Sequence, residues 1–435
     1  MQRQSTRRRF LTTVGVVGTA SLAGCSNITG GGSSSKQPTA SPQPTQTSSN
    51  ETTSPGTDGN GSSNNNDSST RGTAVDDFEG DVSSRWGISY GKYTVTKQDA
   101  FQGSQSLVLE PKKNAEKPVA KIFRSFYPDA LDLSKHDLSL AVKVNKPKDI
   151  KIAAEIIAPA ESSMLTATRY IPLELDGWVR FDLGYTSKRG EPVMDNVSEV
   201  RLQIGPIDDQ FQVLVDDLRT FPKPTKGKVM FQFDDGHISA YEEAYPILKE
   251  NGWPGSVGVI PDAVNAQDRV TDQMMKEMGN ANWDMIAHAS ELLPNLKEQE
   301  QRRILQQAQQ YLKIMGFKKG ARHFVAPYNR VNEATLSLID ELFETGYLFG
   351  ACPNNAQHPS NPSFISRVQG TDIRGTRRVL DIANEFNQLA VVSYHAIGSG
   401  DDALSVDAFE AIVDHVAQTD LDVITPSQLV DGKGW

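Results

Sequence analysis

Cysteine is nearly missing from this chain: two residues in 435, Cys25 and Cys352. Two thiols leave no cysteine zinc cluster. Positive charge is also in short supply. Lys and Arg number 44 against 54 Asp and Glu, a formal net charge of −10. That balance disfavours nucleic acid and anionic lipid headgroups as partners. The apolar stretch from Phe10 to Ala23 is too short and too glycine-rich for a comfortable membrane span. Between residues 26 and 72, Ile28 is the only large apolar residue, and 37 of the 47 are Ser, Thr, Asn, Gly or Pro. Such a segment buries too little surface to offset its ordering entropy and reads as a flexible tether. Asn-X-Ser/Thr triplets begin there at Asn27, Asn50, Asn60 and Asn66. They are glycosylation acceptors, or the chance product of an Asn- and Ser-rich composition.

What is present begins with residues 1–25. Thr6-Arg7-Arg8-Arg9-Phe10-Leu11 resembles a twin-arginine export signal, and Leu22-Ala23-Gly24-Cys25 resembles a lipobox. Together they imply that Cys25 becomes the lipidated first residue of an exported protein. It would then be anchored at the outer face of the cytoplasmic membrane, at the cell surface. An ordinary cleaved signal with a coincidental cysteine is the bland alternative. Removing residues 1–24 takes away four arginines and no acid, so formal charge moves from −10 to −14. With Cys25 lipidated, Cys352 has no partner for an internal disulfide.

From residue 73 to about 222 the pattern becomes alternating or β-branched: "YTVTK", "SLVLEP", "LSLAVKV", "IKIAAEIIA", "WVRFDLG", "VRLQIG", "QVLVDDLRTF". Turn residues separate these runs at roughly ten-residue intervals, which predicts an antiparallel β-sandwich of about eight or nine strands. The opening "DDFEGDVSSRWG", "GSQSLVLE" and the closing "LVDDLRTF" resemble carbohydrate-binding jelly-roll modules. That resemblance implies a calcium ion held by Asp76, Glu79 and Asp216 between the first and last strands; the alternative is simply solvated edge acids. Trp86, Tyr90 and Trp178 are candidates for stacking on sugar rings, or for core packing.

From residue 226 to 435 strands alternate with helices, from "VMFQFDD" to "LDVITP". Seven or eight such units predict an α/β barrel of (β/α)7–8 type, whose working residues sit where strands end. The predicted strand ends carry Asp234-Asp235, His288, Pro327-Tyr328, Cys352-Pro353, Arg367 and His395. Two adjacent carboxylates at the end of a buried strand repel unless something pairs with them.

In that order, "FQFDDGH", "IAHASELLPNL", "HFVAPYN" and "AVVSYHAIG" resemble the motifs of the polysaccharide deacetylases, carbohydrate esterase family 4. The resemblance implies a distorted barrel that hydrolyses N- or O-acetyl groups of an acetylated polysaccharide with a divalent metal, zinc by family habit. It implies Asp234 as base, Asp235 and His288 as metal ligands, His395 as general acid, and Tyr328 at the oxyanion. Arg367 is carried over as a strand-end member of the catalytic set. Leu292 stands where the family's second histidine falls, Val325 or Ala326 where an arginine is common, and Asn329 where glycine is usual. Catalytic zinc usually has three protein ligands. Glu291 would supply the third if the chain after His288 forms a helical turn; His237 and His323 are the other candidates. The competing expectation is a cell-surface glycan-binding protein that keeps the fold without catalysis, and a third is a related metal-dependent hydrolase.

Overall fold

The computed structural model describes residues 72–146, 150–172, 174–399 and 403–432. The export signal, Cys25 and the tether up to Arg71 lie outside the described residues. The described residues belong to one compact unit.

Twelve strands precede residue 223. They are β1 (Thr73–Asp76), β2 (Gly87–Tyr90), β3 (Lys92–Thr96), β4 (Ser106–Glu110), β5 (Ala120–Ser125), β6 (His136–Lys146), β7 (Ile150–Ile157), β8 (Met164–Ile171), β9 (Val179–Asp182), β10 (Tyr185–Arg189), β11 (Glu199–Ile204) and β12 (Gln212–Pro222). They form two six-stranded antiparallel sheets. One runs β3-β4-β12-β6-β9 with β1 added on β12; the other runs β10-β8-β7-β11-β5-β2. This exceeds the eight or nine strands expected. The extra ones include short edges such as β2 and β10, which bury little and show no apolar alternation. Pairing recruits them: Gly87 sits opposite Phe123, and Tyr185 opposite Ala167.

Among the described residues, the acids expected to hold calcium are not grouped for an ion. Asp76 is buried and already takes Arg85 Nε at 3.0 Å, the Trp86 indole N–H at 3.0 Å and the Arg124 guanidinium. Glu79 accepts from the backbone N–H groups of Ser104 (2.6 Å) and Gln105 (3.0 Å). Asp216 accepts from those of Phe101, Gln102 and Asp217 at 2.8, 3.1 and 2.8 Å. Each carboxylate is satisfied by its own protein donors, so the three do not converge on an ion. Trp86 is core, stacked on Phe78 with ring centroids 5.2 Å apart. Trp178 lies against Phe101 and donates to Asp99 Oδ1 at 2.7 Å. Of the three aromatics expected to meet sugar, only Tyr90 stays exposed.

The second half is a closed barrel of seven parallel strands: β13 (Lys228–Phe233), β14 (Ser256–Val259), β15 (Asp284–Ala287), β16 (His323–Val325), β17 (Thr345–Phe349), β19 (Ile365–Gln369) and β20 (Gln388–Tyr394). Closure comes from β13 pairing with β20 in register from Lys228↔Leu389 to Phe233↔Tyr394. Two short strands stand outside this circle. β18 (Asn354–Asn355) runs antiparallel to β20, and β21 (Asp422–Val423) lies beside the start of β13. Inside, Met230, Ile286, Val325, Tyr347, Ile365, Leu389 and Val391 pack as one cluster. The outer helices bury one stripe each, as Glu298–Ile314 does with Ile304, Leu305, Ala308 and Leu312.

Sandwich and barrel share a buried polar seam. Asn355 donates its side-chain amide to Asp137 Oδ2 (3.0 Å) and its backbone N–H to Asp182 Oδ2 (3.0 Å). Gln388 donates to Asp137 Oδ1 (3.0 Å) and accepts from the Tyr185 N–H (2.9 Å). Arg169 reaches across from β8 to the Phe364 carbonyl at 2.8 Å. At Gly184 the approach is so close that a Cβ would lie 1.9 Å from the Pro353 carbonyl oxygen. Burial pushes the Asp137 carboxyl up to about 7, partly offset by the Lys223 charge, and raises Asp182 as well.

An unfolded Asp titrates near 3.8 and the folded Asp137 near 7, so between these values the native state holds the extra proton. The stability from this group is present in full below 3.8 and is lost as pH rises through 7. Asp137→Asn should remove that dependence. In thermal unfolding, the melting temperature of the variant relative to wild type should shift in the variant's favour as pH is raised from about 4 to about 8.

Candidate active site

The site is the continuation of the barrel's inner rows. Side chains alternate along a strand, so residues two apart share a face. Met230 points inward, and two steps on come Gln232 and then Asp234. Ile286 leads to His288, Ile365 to Arg367, and Val391 through Ser393 to His395. The apolar layer thus ends in a polar one at the carboxyl rim.

Asp234 is buried and pairs with the buried Arg367, Nη1 to Oδ1 at 2.7 Å. Its own N–H donates to the Tyr394 carbonyl at 2.8 Å, fixing the end of β13 to the end of β20. Arg367 Nη2 donates to Asn329 Oδ1 at 2.7 Å, and the same oxygen accepts the Phe349 N–H at 2.9 Å. Asn329 was noted in the sequence only as a departure from glycine. Its φ of 55° explains the preference for glycine, and asparagine tolerates that left-handed region. The side chain then adds what glycine cannot, a seat for Arg367.

Asp235 turns away from the strand with φ 63° and is followed by Gly236 at φ 60°. This left-handed pair aims neighbouring carboxylates in different directions, which relieves their repulsion. Asp235 Oδ1 lies 3.2 Å from His288 Nε2. Its pKa is held below the usual carboxylate value, first by that hydrogen bond, with the charges of His395 and Arg269 adding to it. His288 Nδ1 faces the Val325 carbonyl at 2.8 Å. That contact accounts for an N–H at Nδ1, so Nε2, which faces Asp235, is the ring atom that would meet a cation in place of its proton. His395 is exposed on the same rim. Tyr328, also left-handed at φ 55°, is 68% exposed and donates its hydroxyl to the Ser290 carbonyl at 3.1 Å.

The structure thus brings Asp234, Asp235, His288, Arg367 and His395 to one rim. It does not bring in a third metal donor. The chain bends at 290–291 rather than making a helical turn; Glu291 is exposed, with Ser290 donating to it, and it does not join Asp235 and His288 in a group that could hold a metal. His323 is fully buried at the start of β16, between the Thr345 (2.7 Å) and Ser427 (3.2 Å) hydroxyls. Burial drives its pKa well down, so it is a neutral core residue. His237 is tied to Ser239 through Nδ1 at 2.8 Å. Among the described residues no three His, Cys, Asp or Glu side chains are grouped to hold a metal ion. Asp235 and His288 fit a two-donor cation site completed by water or substrate; they do not make a three-ligand zinc centre.

With this geometry in place, comparison with known proteins is direct. Residues 222–345 match the polysaccharide deacetylase family model. The matched stretch includes Asp234, Asp235, His288 and Tyr328 but stops short of Arg367 and His395. The chain is 28% identical over 150 residues to the putative polysaccharide deacetylase YxkH of Bacillus subtilis (strain 168), covering 34% of this chain and 50% of that one. It is 28% identical over 171 residues to the poly-β-1,6-N-acetyl-D-glucosamine N-deacetylase of Staphylococcus aureus (strain MSSA476), covering 35% and 56%. The chain therefore spans about half the length of these curated relatives. Among solved structures it is similar to the Xyl-CE4 domain of a multidomain xylanase from the hindgut metagenome of Trinervitermes trinervoides. That similarity has 16% identity and a TM-score of 0.36, over 48% of this chain and 92% of that one.

Removing one partner of a buried ion pair strands the other charge, at a cost of about 3–5 kcal/mol. Arg367→Met should therefore lower stability in urea unfolding by about that amount, and adding Asp234→Asn to it should recover most of the loss. A purely additive double variant would show that the pair is not coupled.

Proposed function

We propose that this protein is a cell-surface hydrolase that removes N- or O-acetyl groups from an acetylated polysaccharide, with a divalent cation held by Asp235 and His288. The observation that carries the proposal is the convergence of two carboxylates, two histidines and an arginine on one barrel rim. The matched family and the names of the relatives supply the acetylated-glycan substrate class. Lipid anchoring at Cys25 after twin-arginine export belongs to this proposal, as does a glycan-binding role for the sandwich.

The chemistry such a cation supplies is Lewis acidity toward the acetyl carbonyl and the attacking water. Asp234 takes the proton of that water through Oδ2, because Arg367 occupies Oδ1. Arg367 is a positioning residue: held by Asn329, it fixes the Asp234 carboxylate in place. The water oxygen bonds to the acetyl carbon, and the Tyr328 backbone N–H stabilises the oxygen that gains charge. The bond from carbon to the sugar nitrogen or oxygen then breaks. His395 gives its proton to that leaving atom, and acetate and the freed amine or hydroxyl depart. Asp235 and His288 would hold the cation, with the Nδ1 contact to Val325 keeping the ring in place.

One observation favours a second reading, a glycan-binding protein without turnover: only two donors converge where three are usual. Acetate release from acetylated glucosamine oligomers, measured with zinc, cobalt, nickel or manganese present, separates the two. Asp234→Asn should abolish release while leaving cation binding within about twofold of wild type. Asp235→Ala should weaken cation binding by at least about tenfold and abolish release as well. A wild-type protein that binds no cation at millimolar concentration and releases no acetate would establish the binding reading instead.

A further inference from the structure

The rim described above continues sideways into a cavity of about 470 Å³ between the barrel and the sandwich. Its barrel wall holds Tyr328, Asn329, Phe349 and Gln369, all at the carboxyl ends of strands. Its opposite wall is the end of β8, with Tyr170 and Pro172. We propose that this cavity is a sugar-binding subsite shared by both halves, in which Tyr170 of the sandwich stacks on a ring of the glycan chain next to the acetylated unit held at the rim. The proposal rests on the deacetylase reading for the identity of that neighbouring unit.

Four observations carry it. First, the cavity is continuous with the catalytic rim through Asn329, which lines it and also seats the arginine that holds Asp234. A polymer with one unit at Asp234 must send its neighbours somewhere, and this is an adjoining channel.

Second, the rings have the exposure that stacking needs. Tyr328 is 68% and Tyr170 37% exposed, and Tyr170 packs against Phe349 with centroids 5.6 Å apart. The result is an aromatic ledge with polar groups beside it, the exposed Gln369 carboxamide and Asn329. Apolar faces flanked by a few hydrogen-bonding groups suit a pyranose, which has an apolar face and a polar perimeter.

Third, Tyr170 is rigidly placed. Its N–H donates to the Gly350 carbonyl at 3.1 Å, directly bridging sandwich and barrel. The preceding Arg169 points to the opposite face and is buried in the seam, between the rings of Phe181 and Phe364. Strand alternation then turns Tyr170 toward the cavity. A ring held this way loses little freedom on binding.

Fourth, the charge is right for a neutral sugar. Among the described residues no carboxylate lines the cavity, in a chain with a net charge of −10; Arg330 there is paired with Glu174, and the one ammonium beside the ring is that of Lys151, 5.9 Å from the Tyr170 ring centre.

The test uses the full chain and Tyr170 variants with six-unit oligomers of N-acetylglucosamine, β-1,4- and β-1,6-linked, beside a small aryl acetate that reaches only the rim. Tyr170→Ala should raise KM for a hexamer about tenfold and leave aryl acetate hydrolysis unchanged. Tyr170→Phe keeps the ring and should behave as wild type on both. Hexamer binding measured calorimetrically in an Asp234→Asn background should weaken by the same factor with Tyr170→Ala, independently of turnover. Unchanged hexamer binding and KM in Tyr170→Ala would overturn the subsite and leave the deacetylase reading standing. So would an equal loss on both substrates, since a ledge that binds only the polymer cannot affect the aryl ester. Wild type that neither binds hexamers nor hydrolyses either substrate would overturn the deacetylase reading and the subsite with it.

Discussion

The rim residues take their places from one constraint, the in-register pairing of the barrel's first and last strands. Phe233 sits opposite Tyr394, so the residues that follow, Asp234 and His395, emerge side by side. The Asp234 N–H to the Tyr394 carbonyl extends that ladder by one more bond. A slip of one residue would turn Met230 and Val391 out of the barrel and send Asp234 to the helix layer. The register is held by the inward apolar cluster and by Lys228, whose ammonium reaches the Ala356 carbonyl at 2.7 Å. The relative position of Asp234 and His395 is thus set by core packing well below them.

Given that frame, the two aspartates divide their work through backbone geometry. Asp234 completes the inward row and meets Arg367, whereas Asp235, at φ 63°, meets His288. The like charges sit in consecutive residues yet face different partners. Each acid has its own partner, Arg367 for Asp234 and His288 for Asp235, which explains how a chain can place two acids at the end of a hydrophobic strand.

Much of this was legible in the sequence. The change from two-residue alternation to strand-helix units located both halves, and strand-end placement selected Asp234, Asp235, His288, Arg367 and His395 with no knowledge of their contacts. What was not legible depends on long-range contact. Asn329 looked like a lost glycine, because its acceptor role needs an arginine 38 residues away. Glu291 looked like a substitute ligand because helical spacing was assumed, whereas Pro294 and the bend at 290–291 steer the chain elsewhere. The acids of the sandwich resembled a calcium set by residue type alone; their actual partners, Arg85, Arg124 and loop amides, become neighbours only on folding. Edge strands such as β2 and β10 were missed because pairing, not burial, defines them.

The same reasoning changes what the sandwich is for. Read from sequence, it was a carbohydrate-binding-like module ahead of the barrel. In the folded chain its Asp137 and Asp182 are satisfied by barrel donors, and the barrel's Asn355 and Gln388 are satisfied in return. Buried polar groups matched across a seam are costly to separate, because each would be left without its partner. A freely moving module would not be built this way. A wall fixed against the barrel would be, and where that wall nears Asn329 and Phe349 at the strand-end rim it carries Tyr170, held by a backbone hydrogen bond to the barrel. The seam therefore does more than join two halves: by fixing Arg169 it fixes the residue beside it, and so the geometry of the channel along which a polymer would pass.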